Sequence, residues 1–411
     1  MHIVLIHQAF ATLGEPGGTR HHEFSRYLAV QGHRVTVITG QVSYLTGRRT
    51  ASGWVQREGE EAGVSILRCY TYPAWHRSFF HRLLSFLSFM LSSFIVGLSV
   101  RDIDLVWGTS PPIFQGLTAW MLARLKRTRF LFEVRDLWPH FAVAVGVLRN
   151  PLLIRLSEWL ERFLYRSADG VIVNSPGFIE HVSMRGARTV ELVPNGVDLS
   201  MFDVEEMEEA FRKENDLVEK FVVLYAGAHG MSNDLEVMLE TADQMREMEE
   251  IVFLFIGDGK EKQALMAKAQ AMGLRNVRFM PPVPKTEMPK VLAAADVCVA
   301  ILKPIEAYKT TYPNKVFDYM AAGRPVVLAI DGVIRSVVEE ARAGLFVQPG
   351  SPESMSQAIR KLAEDRDLGQ RMGRAGRDYV AEHFNRPVIA MRLEGMMEEM
   401  VGRDQGRGGD V

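Results

Sequence analysis

Cysteine is nearly absent. Cys69 and Cys298 are the only two in 411 residues, too few for a disulfide framework or a four-cysteine metal site. Each lies in an apolar run, where a small buried hydrophobe is expected. A surplus of either charge is lacking too: 48 Lys and Arg face 50 Asp and Glu, so no global field would hold DNA or RNA, and no nucleic-acid partner is expected. Also missing are a Walker-type phosphate loop (Gly257-Asp-Gly-Lys260 runs into Glu261), a G-x-G-x-x-G after the first strand, a G-x-S-x-G nucleophile elbow and an H-E-x-x-H helix. The adjacent His21 and His22 would point about 100° apart on a helix, and no metal site is expected. Met1–Ile6 is too short for the apolar core of a signal peptide and has no basic leader; it reads as a first strand, and a cytoplasmic protein is expected.

What is present is an alternation of short Val/Ile/Leu runs with longer helical patterns. His2–Ile6, Arg34–Thr39, Val64–Tyr70, Asp104–Gly108, Arg129–Val134, Gly170–Asn174 and Val190–Val193 lack polar alternation, as do parallel strands covered on both faces. Helices fit between them over Gly18–Gln31, His76–Leu98, Phe114–Leu125, Asn150–Arg166 and Ser175–Arg185. The second half repeats the pattern with strands at Phe221–Tyr225, Ile251–Ile256, Val277–Met280, Val297–Ile301, Pro325–Ala329 and Leu345–Val347. Its helices include Asp234–Met248, Lys260–Met272, Met288–Ala295 and Val316–Ala322, with more over Leu362–Val401. The expectation is an α/β chain of two Rossmann-like, doubly wound parallel-sheet lobes, 1–196 and 221–384. An acidic linker at 197–220, a terminal helix at 385–402 crossing back to the first lobe, and a disordered Gly-rich tail at 403–411 complete it.

Four loops carry candidate chemistry. Gly14–His22 follows the first strand and opens a helix; Gly17 and Gly18 allow close ligand approach there, although an ordinary tight turn has the same look. Arg135 and Asp136 end another strand, where a parallel sheet places function; an Arg–Asp pair that merely orders its loop fits equally well. Gly227 and Gly230 flank His229 after the first strand of the second lobe, either as a phosphate loop or as a turn with a surface histidine. The densest cluster is Lys303–Pro325. Thr310 and Thr311 lead into a helix beginning at Pro313-Asn314, with Lys303, Lys309 and Lys315 around it and Asp318 one turn inside, an arrangement suited to a diphosphate with a ribose beyond. Asp198 reads as a turn residue, and Asp102-Ile-Asp104 as a helix-to-strand turn rather than a metal motif.

Four segments together resemble one family: Gly17-Gly18 with Gln31–Thr39; Val134-Arg-Asp-Leu-Trp-Pro139; Val193-Pro-Asn-Gly-Val-Asp198; and Pro313–Val327. They are similar to the retaining, nucleotide-sugar-dependent glycosyltransferases of the two-Rossmann (GT-B) type, family 4, and to the fucosamine-transferase-like branch that builds bacterial surface polysaccharides and O-antigens. The resemblance implies two lobes facing across a cleft, the donor held mainly by the C-terminal lobe and the acceptor mainly by the N-terminal lobe. It implies no cofactor beyond the nucleotide sugar itself, UDP-linked, and no metal. The family's acidic pair, eight positions apart, maps to Thr310 and Asp318, so its first member is missing and Glu306 is a substitute. Its basic pair after the second lobe's first strand is absent; His229 stands there, and Lys303 or Lys315 would supply the charge. The family's N-lobe His before Asp is Arg135, followed by Asp136. Val283 falls where relatives contact the base, and Arg20 and His21 fall on the acceptor side. Arg135, Asp136, Lys303 and Lys315 are thus the catalytic candidates. In such enzymes the β-phosphate oxygen is thought to take the acceptor's proton, so no side-chain nucleophile is required.

One feature lies outside that pattern. Leu83–Val100 carries no charge and is just long enough for a membrane span, yet a span there would put strands of one sheet on opposite sides of a bilayer. Ser78, His81, Ser85, Ser88 and Ser92 form a polar stripe on a helix otherwise apolar, with His76, Arg77 and Arg82 at its start. The expectation is peripheral contact through 76–98 with the inner face of the plasma membrane, and a lipid-linked glycan as acceptor; a neighbouring helix or second subunit would cover the same face. Rival functions are a nucleotide-sugar 2-epimerase and a non-catalytic nucleotide-sugar-binding partner.

Overall fold

The computed structural model describes residues 1–43, 47–59, 63–73, 79–202 and 207–405. The chain divides into two compact units. The first comprises 1–12, 18–194 and 387–411; the second comprises 13–17 and 195–386.

The first unit is built on an eight-stranded sheet: β1 His2–Ile6, β2 Arg34–Gly40, β3 Val55–Gly59, β4 Val64–Cys69, β5 Leu105–Ser110, β6 Arg129–Val134, β7 Gly170–Val173 and β8 Val190–Leu192. Their order is β3-β4-β2-β1-β5-β6-β7-β8. Every pair is parallel except β3 with β4. The sequence pattern does not reveal β3. Its residues Val-Gln-Arg-Glu-Gly have no apolar run, and it is an edge strand held by pairing with β4 and by Arg68 Nε on Glu58, 2.9 Å. Side chains alternate between two cores, as strand geometry requires. Ile3 and Leu5 pack with Phe24 and Leu28 of helix Arg20–Val30 and with Ile389, Leu393 and Met397 of helix Arg386–Gln405. Val4 and Ile6 share the opposite core with Phe89, Leu122 and Leu164 of the helices Phe79–Ser99, Ile113–Lys126 and Pro151–Ser167.

The polar stripe on Phe79–Ser99 fastens that helix to the chain after β4. Ser92 Oγ donates to Tyr70 O at 2.7 Å, Ser88 Oγ accepts from Tyr72 N at 2.9 Å, and His81 Nδ1 pairs with the Tyr72 hydroxyl at 3.0 Å. His76, Arg77 and Ser78, part of the expected contact segment, lie outside the described residues.

The second unit carries a six-stranded parallel sheet: β9 Phe221–Ala226, β10 Ile251–Ile256, β11 Val277–Met280, β12 Val297–Ile301, β13 Val326–Ala329 and β14 Gly344–Phe346, in the order β11-β10-β9-β12-β13-β14. Two corrections to the sequence expectation arise here. The stretch 197–220 is no linker: Val197, Phe202, Phe211 and Leu217 are buried in the core of this unit with Val222 and Leu224. These four apolar side chains, spaced among acidic residues, outweigh the charge that suggested a connector. A helix at Val333–Glu340 adds to those expected, with Ile334, Val337 and Val338 as its buried i, i+3, i+4 face. At the C-terminus the helix extends to Gln405, and the remainder of the expected tail, 406–411, lies outside the described residues.

Leu393 is fully buried between sheet and helix in the first unit. Leu393→Ala is expected to lower stability by about 2–5 kcal/mol, read as a lowered melting temperature, with a first-unit surface variant such as Arg155→Gln leaving it unchanged.

Candidate active site

In a parallel sheet every strand delivers its following loop to one edge. In the second unit, helix Asn314–Ala321 is fixed to that edge by Tyr319. Its buried hydroxyl accepts from Ala226 N at 3.0 Å and donates to Ala226 O at 3.1 Å, while Val316, Phe317 and Met320 fill the core behind. One turn earlier, Lys315 lies against the end of β9. Its Nζ donates to Tyr225 Oη at 2.7 Å and sits 3.9 Å from that ring's centre, and the Tyr225 hydroxyl in turn donates to Ala228 O at 2.8 Å. A Cβ at Gly227 would come within 3.0 Å of Lys315 Nζ, and one at Gly257 within 1.9 Å of the Gly227 carbonyl oxygen. Glycine at both positions lets the loops after β9 and β10 interlock, through Gly227 N on Ile256 O (2.9 Å) and His229 N on Asp258 O (2.8 Å). Desolvation pushes the Lys315 ammonium down to about 7.

His229 is not the surface histidine of the simpler alternative. It is fully buried against the rings of Tyr225, Phe255 and Phe279, and neither ring nitrogen has a hydrogen-bond partner. Burial, aided by the charges of Lys262 and Lys315, pushes its pKa down to about 4, so the imidazole is neutral at pH 7.

The loop after β12 forms a short 3-10 helix, Glu306–Thr310. Thr310 Oγ1 donates to Ala307 O at 2.7 Å and Thr311 Oγ1 to Tyr308 O at 2.8 Å. Both hydroxyl protons are therefore held inside the loop, which corrects the expectation of threonine donors to a phosphate. Glu306 is exposed and paired with Lys309 at 2.8 Å. The available donors are Lys315, the half-buried Lys303, and the N–H groups at Asn314 and Lys315, which helix geometry leaves without intrahelical acceptors. Asp318 is not a lone carboxylate: its Oδ1 pairs with Lys285 Nζ at 2.7 Å, and Lys285 lies over the Phe202 ring. Val283 is partly buried against the core two residues before. No local sequence signal links Lys285 to Asp318; the pairing is purely tertiary.

In the first unit the carboxyl edge is organised around Glu133, a residue inside the apolar run of β6 that no sequence motif marks. Its fully buried carboxylate accepts from Arg20 Nε (3.0 Å) and Trp107 Nε1 (3.1 Å) and pairs with His21 Nε2 (2.7 Å). Burial alone would raise its pKa, but His21 and Arg20 hold it well below the usual carboxylate range. Arg20 also donates to Val193 O and Pro194 O at 2.7 and 2.6 Å. Arg20 and His21, expected toward an acceptor, are thus turned inward, only 4% and 2% exposed. Gly17 and Gly18 are exposed.

Beside this cluster His7 pairs through Nδ1 with Thr109 Oγ1 at 2.8 Å and receives Arg135 Nη1 on Nε2 at 3.0 Å. Among the described residues no ion pair joins Arg135 to Asp136. Burial raises the Asp136 carboxyl to about 6, against the opposing charge of Arg135. Asp198 accepts from both the N–H and the hydroxyl of Ser200 and serves a turn, whereas Asp104 accepts from His2 N and ties the chain before β5 to the start of β1. Among the described residues one group could converge on a cation: His33, Glu394 and Glu398, with His33 just before β2 and already 2.8 Å from Glu394.

Burial lowers the pKa of His7 and of His21, and Glu133 lies low through its partners. The unfolded chain binds more protons at the two histidines below about pH 6.5 and at Glu133 below about pH 4.5, so their contribution is present at neutral pH and is lost on acidification, the histidines first. The melting temperature is expected to fall progressively from pH 6.5 to 4, and His7→Gln to flatten the first part of that decline.

Comparison with known proteins places two family models along the chain. Residues 17–196 match the glycosyl transferase 4-like domain, and residues 220–365 match glycosyl transferases group 1. The putative colanic acid biosynthesis glycosyl transferase WcaI of Escherichia coli (strain K12) is 27% identical over 354 residues, covering 82% of this chain and 86% of that one. Among solved structures, sucrose-phosphate synthase from Thermosynechococcus elongatus superposes with a TM-score of 0.76 at 19% identity, over 98% of this chain and 99% of its own. HepE of Anabaena, solved in complex with UDP-glucose, gives 0.72 at 16% identity, over 97% and 100%.

Proposed function

We propose, because the chain belongs to the group 1 family of glycosyltransferases, that it moves a sugar from a nucleotide diphosphate sugar, UDP-linked, to a lipid-linked glycan with retention of anomeric configuration. The observation that carries the reading is the second unit's loop cluster: Lys315 against Gly227 and Tyr225, with His229 buried beside it and lacking any partner for either ring nitrogen. A buried polar ring left unpaired is costly, and a ligand acceptor such as a phosphate oxygen relieves that cost.

In this reading the diphosphate lies at the start of helix Asn314–Ala321. The ammonium groups of Lys315 and Lys303, with the N–H groups at Asn314 and Lys315, stabilise the charge that develops as the glycosidic bond to phosphate breaks. Asp318 keeps one carboxylate oxygen on Lys285 and offers the other to a ribose hydroxyl. The backbone at Val283 would face the base. Arg135, steered by His7, and Asp136 are the first unit's groups for the acceptor. The lysines and helix terminus supply the leaving-group charge, so the reaction needs no divalent ion. WcaI of E. coli, described as acting in colanic acid biosynthesis, and HepE, which binds UDP-glucose, support a surface-glycan role with a UDP donor. The proposed location is the cytoplasmic side of the membrane.

Incubation with a panel of nucleotide sugars and lipid-linked acceptors, read by mass, tests the activity: transfer supports it, while donor epimerisation or binding without turnover overturns it. Chelator should leave the rate unchanged. Lys315→Ala is expected to weaken UDP by about 1.5–3 kcal/mol and leave uridine affinity unchanged; equal losses for both would remove Lys315 from the diphosphate. With Lys315 depressed to about 7, the free protein loses this charge as pH rises through 7. UDP affinity should therefore fall between pH 6 and 8.5, and Lys315→Arg should flatten that fall.

A further inference from the structure

We infer that the outer surface of the first unit's three-helix layer is a docking surface for an anionic lipid bilayer, with helix Pro151–Ser167 as its charge-bearing anchor. The inference deepens the proposed lipid-linked acceptor by naming the surface that would meet the membrane. Leu160 and Leu164 of this helix face the core. Leu152, Leu156 and Trp159, at i, i+4 and i+7, face the opposite way and are 65%, 52% and 62% exposed. Trp159 stacks on Phe163, 5.6 Å between ring centres, and Phe163 packs edge-on against Trp120 of helix Ile113–Lys126 at 4.7 Å.

Helix Phe79–Ser99 lies in the same layer, contributing Phe89 and Val96 to the same core. It repeats the arrangement: Leu87, Leu91, Ile95 and Leu98 are exposed on the side away from the core. This helix is long and apolar enough to cross a membrane, but it is packed into the unit and only 33% of its apolar window is buried. Two apolar stripes on one layer exceed the scattered exposure of ordinary surfaces.

Charge decides what covers them. Phe79–Ser99 and Ile113–Lys126 contain no acidic residue, and of the two on Pro151–Ser167 Glu161 is buried, leaving Glu158. Arg82, Arg124, Arg155, Arg162 and Arg166 are exposed on the same three helices. A second copy of this chain, pairing through the same face, would set arginine against arginine. An anionic headgroup layer satisfies both features: apolar side chains enter the acyl boundary and arginines remain at the phosphates, with Trp159 suited to the interface.

The test is flotation of the full chain with phosphatidylcholine vesicles, with and without phosphatidylglycerol, at low and high salt. The expected result is flotation with the anionic vesicles, weakened by salt. Arg155→Gln with Arg162→Gln should weaken binding about thirtyfold, and Leu156→Ser with Trp159→Ser should abolish it, with melting temperatures little changed because these side chains are exposed and only the Trp159–Phe163 stacking is lost. Leu91→Ser gives the same reading from the neighbouring helix should the double variant misfold. No flotation by the wild type, flotation unchanged in the apolar variants, or a wild-type dimer that these variants dissociate would each overturn the inference. Transfer to a water-soluble acceptor separates the two ideas. Variants that transfer fully but no longer float support the surface, whereas a wild type that floats but transfers no sugar faults only the functional reading.

Discussion

The second unit's site depends on one buried hydroxyl. Tyr319 bonds to both the N–H and the carbonyl of Ala226, the last residue of β9. Without that clamp the start of helix Asn314–Ala321 would not be tied to the strand end, and Lys315 would not meet Tyr225. The approach has visible consequences: glycine at 257 because a Cβ there would meet the Gly227 carbonyl at 1.9 Å, beside a Gly227 whose φ of +149° itself calls for glycine, and an ammonium depressed to about 7 by desolvation.

The first unit solves the opposite problem. Glu133 is a carboxylate at zero exposure, and a buried charge survives only when paired and hydrogen-bonded. Arg20, His21 and Trp107 provide that, and Arg20 goes on to hold the carbonyls of Val193 and Pro194. One ion cluster thereby joins the start of helix Arg20–Val30, the end of β6 and the chain leaving β8. Removing one partner would strand a charge; this coupling makes the cluster a framework element.

The sequence made the scaffold legible wherever one local signal sufficed. Among the described residues apolar runs mark thirteen of the fourteen strands, because strands covered on both faces need no polar alternation; β3, an edge strand whose Val-Gln-Arg-Glu-Gly has none of that signal, does not show in the pattern. Acidity misled at 197–220, where Phe202, Phe211 and Leu217 decide the packing. At the site, local pattern brings out Gly227 and His229 in a Gly-rich loop, and Lys315 and Asp318 in the first turns of a helix that follows a polar loop. It could not reveal Lys285 beside Asp318, nor the inward turn of Arg20 and His21. Those depend on partners far away in the chain, Glu133 in one case and Asp318 in the other.

The two clusters also differ in a way that separates framework from function. Glu133 collects three side-chain partners and leaves its charge balanced inside the fold. His229, equally buried, has none, and its low pKa keeps it neutral without satisfying either nitrogen. Folding stability alone favours filling such a site with an apolar ring, since Tyr225, Phe255 and Phe279 already surround it. The imidazole stands there against that cost, next to a lysine depressed by the same desolvation. The unsatisfied polar group, more than the charged one, therefore sets the second unit's loops apart from the fully paired Glu133 cluster.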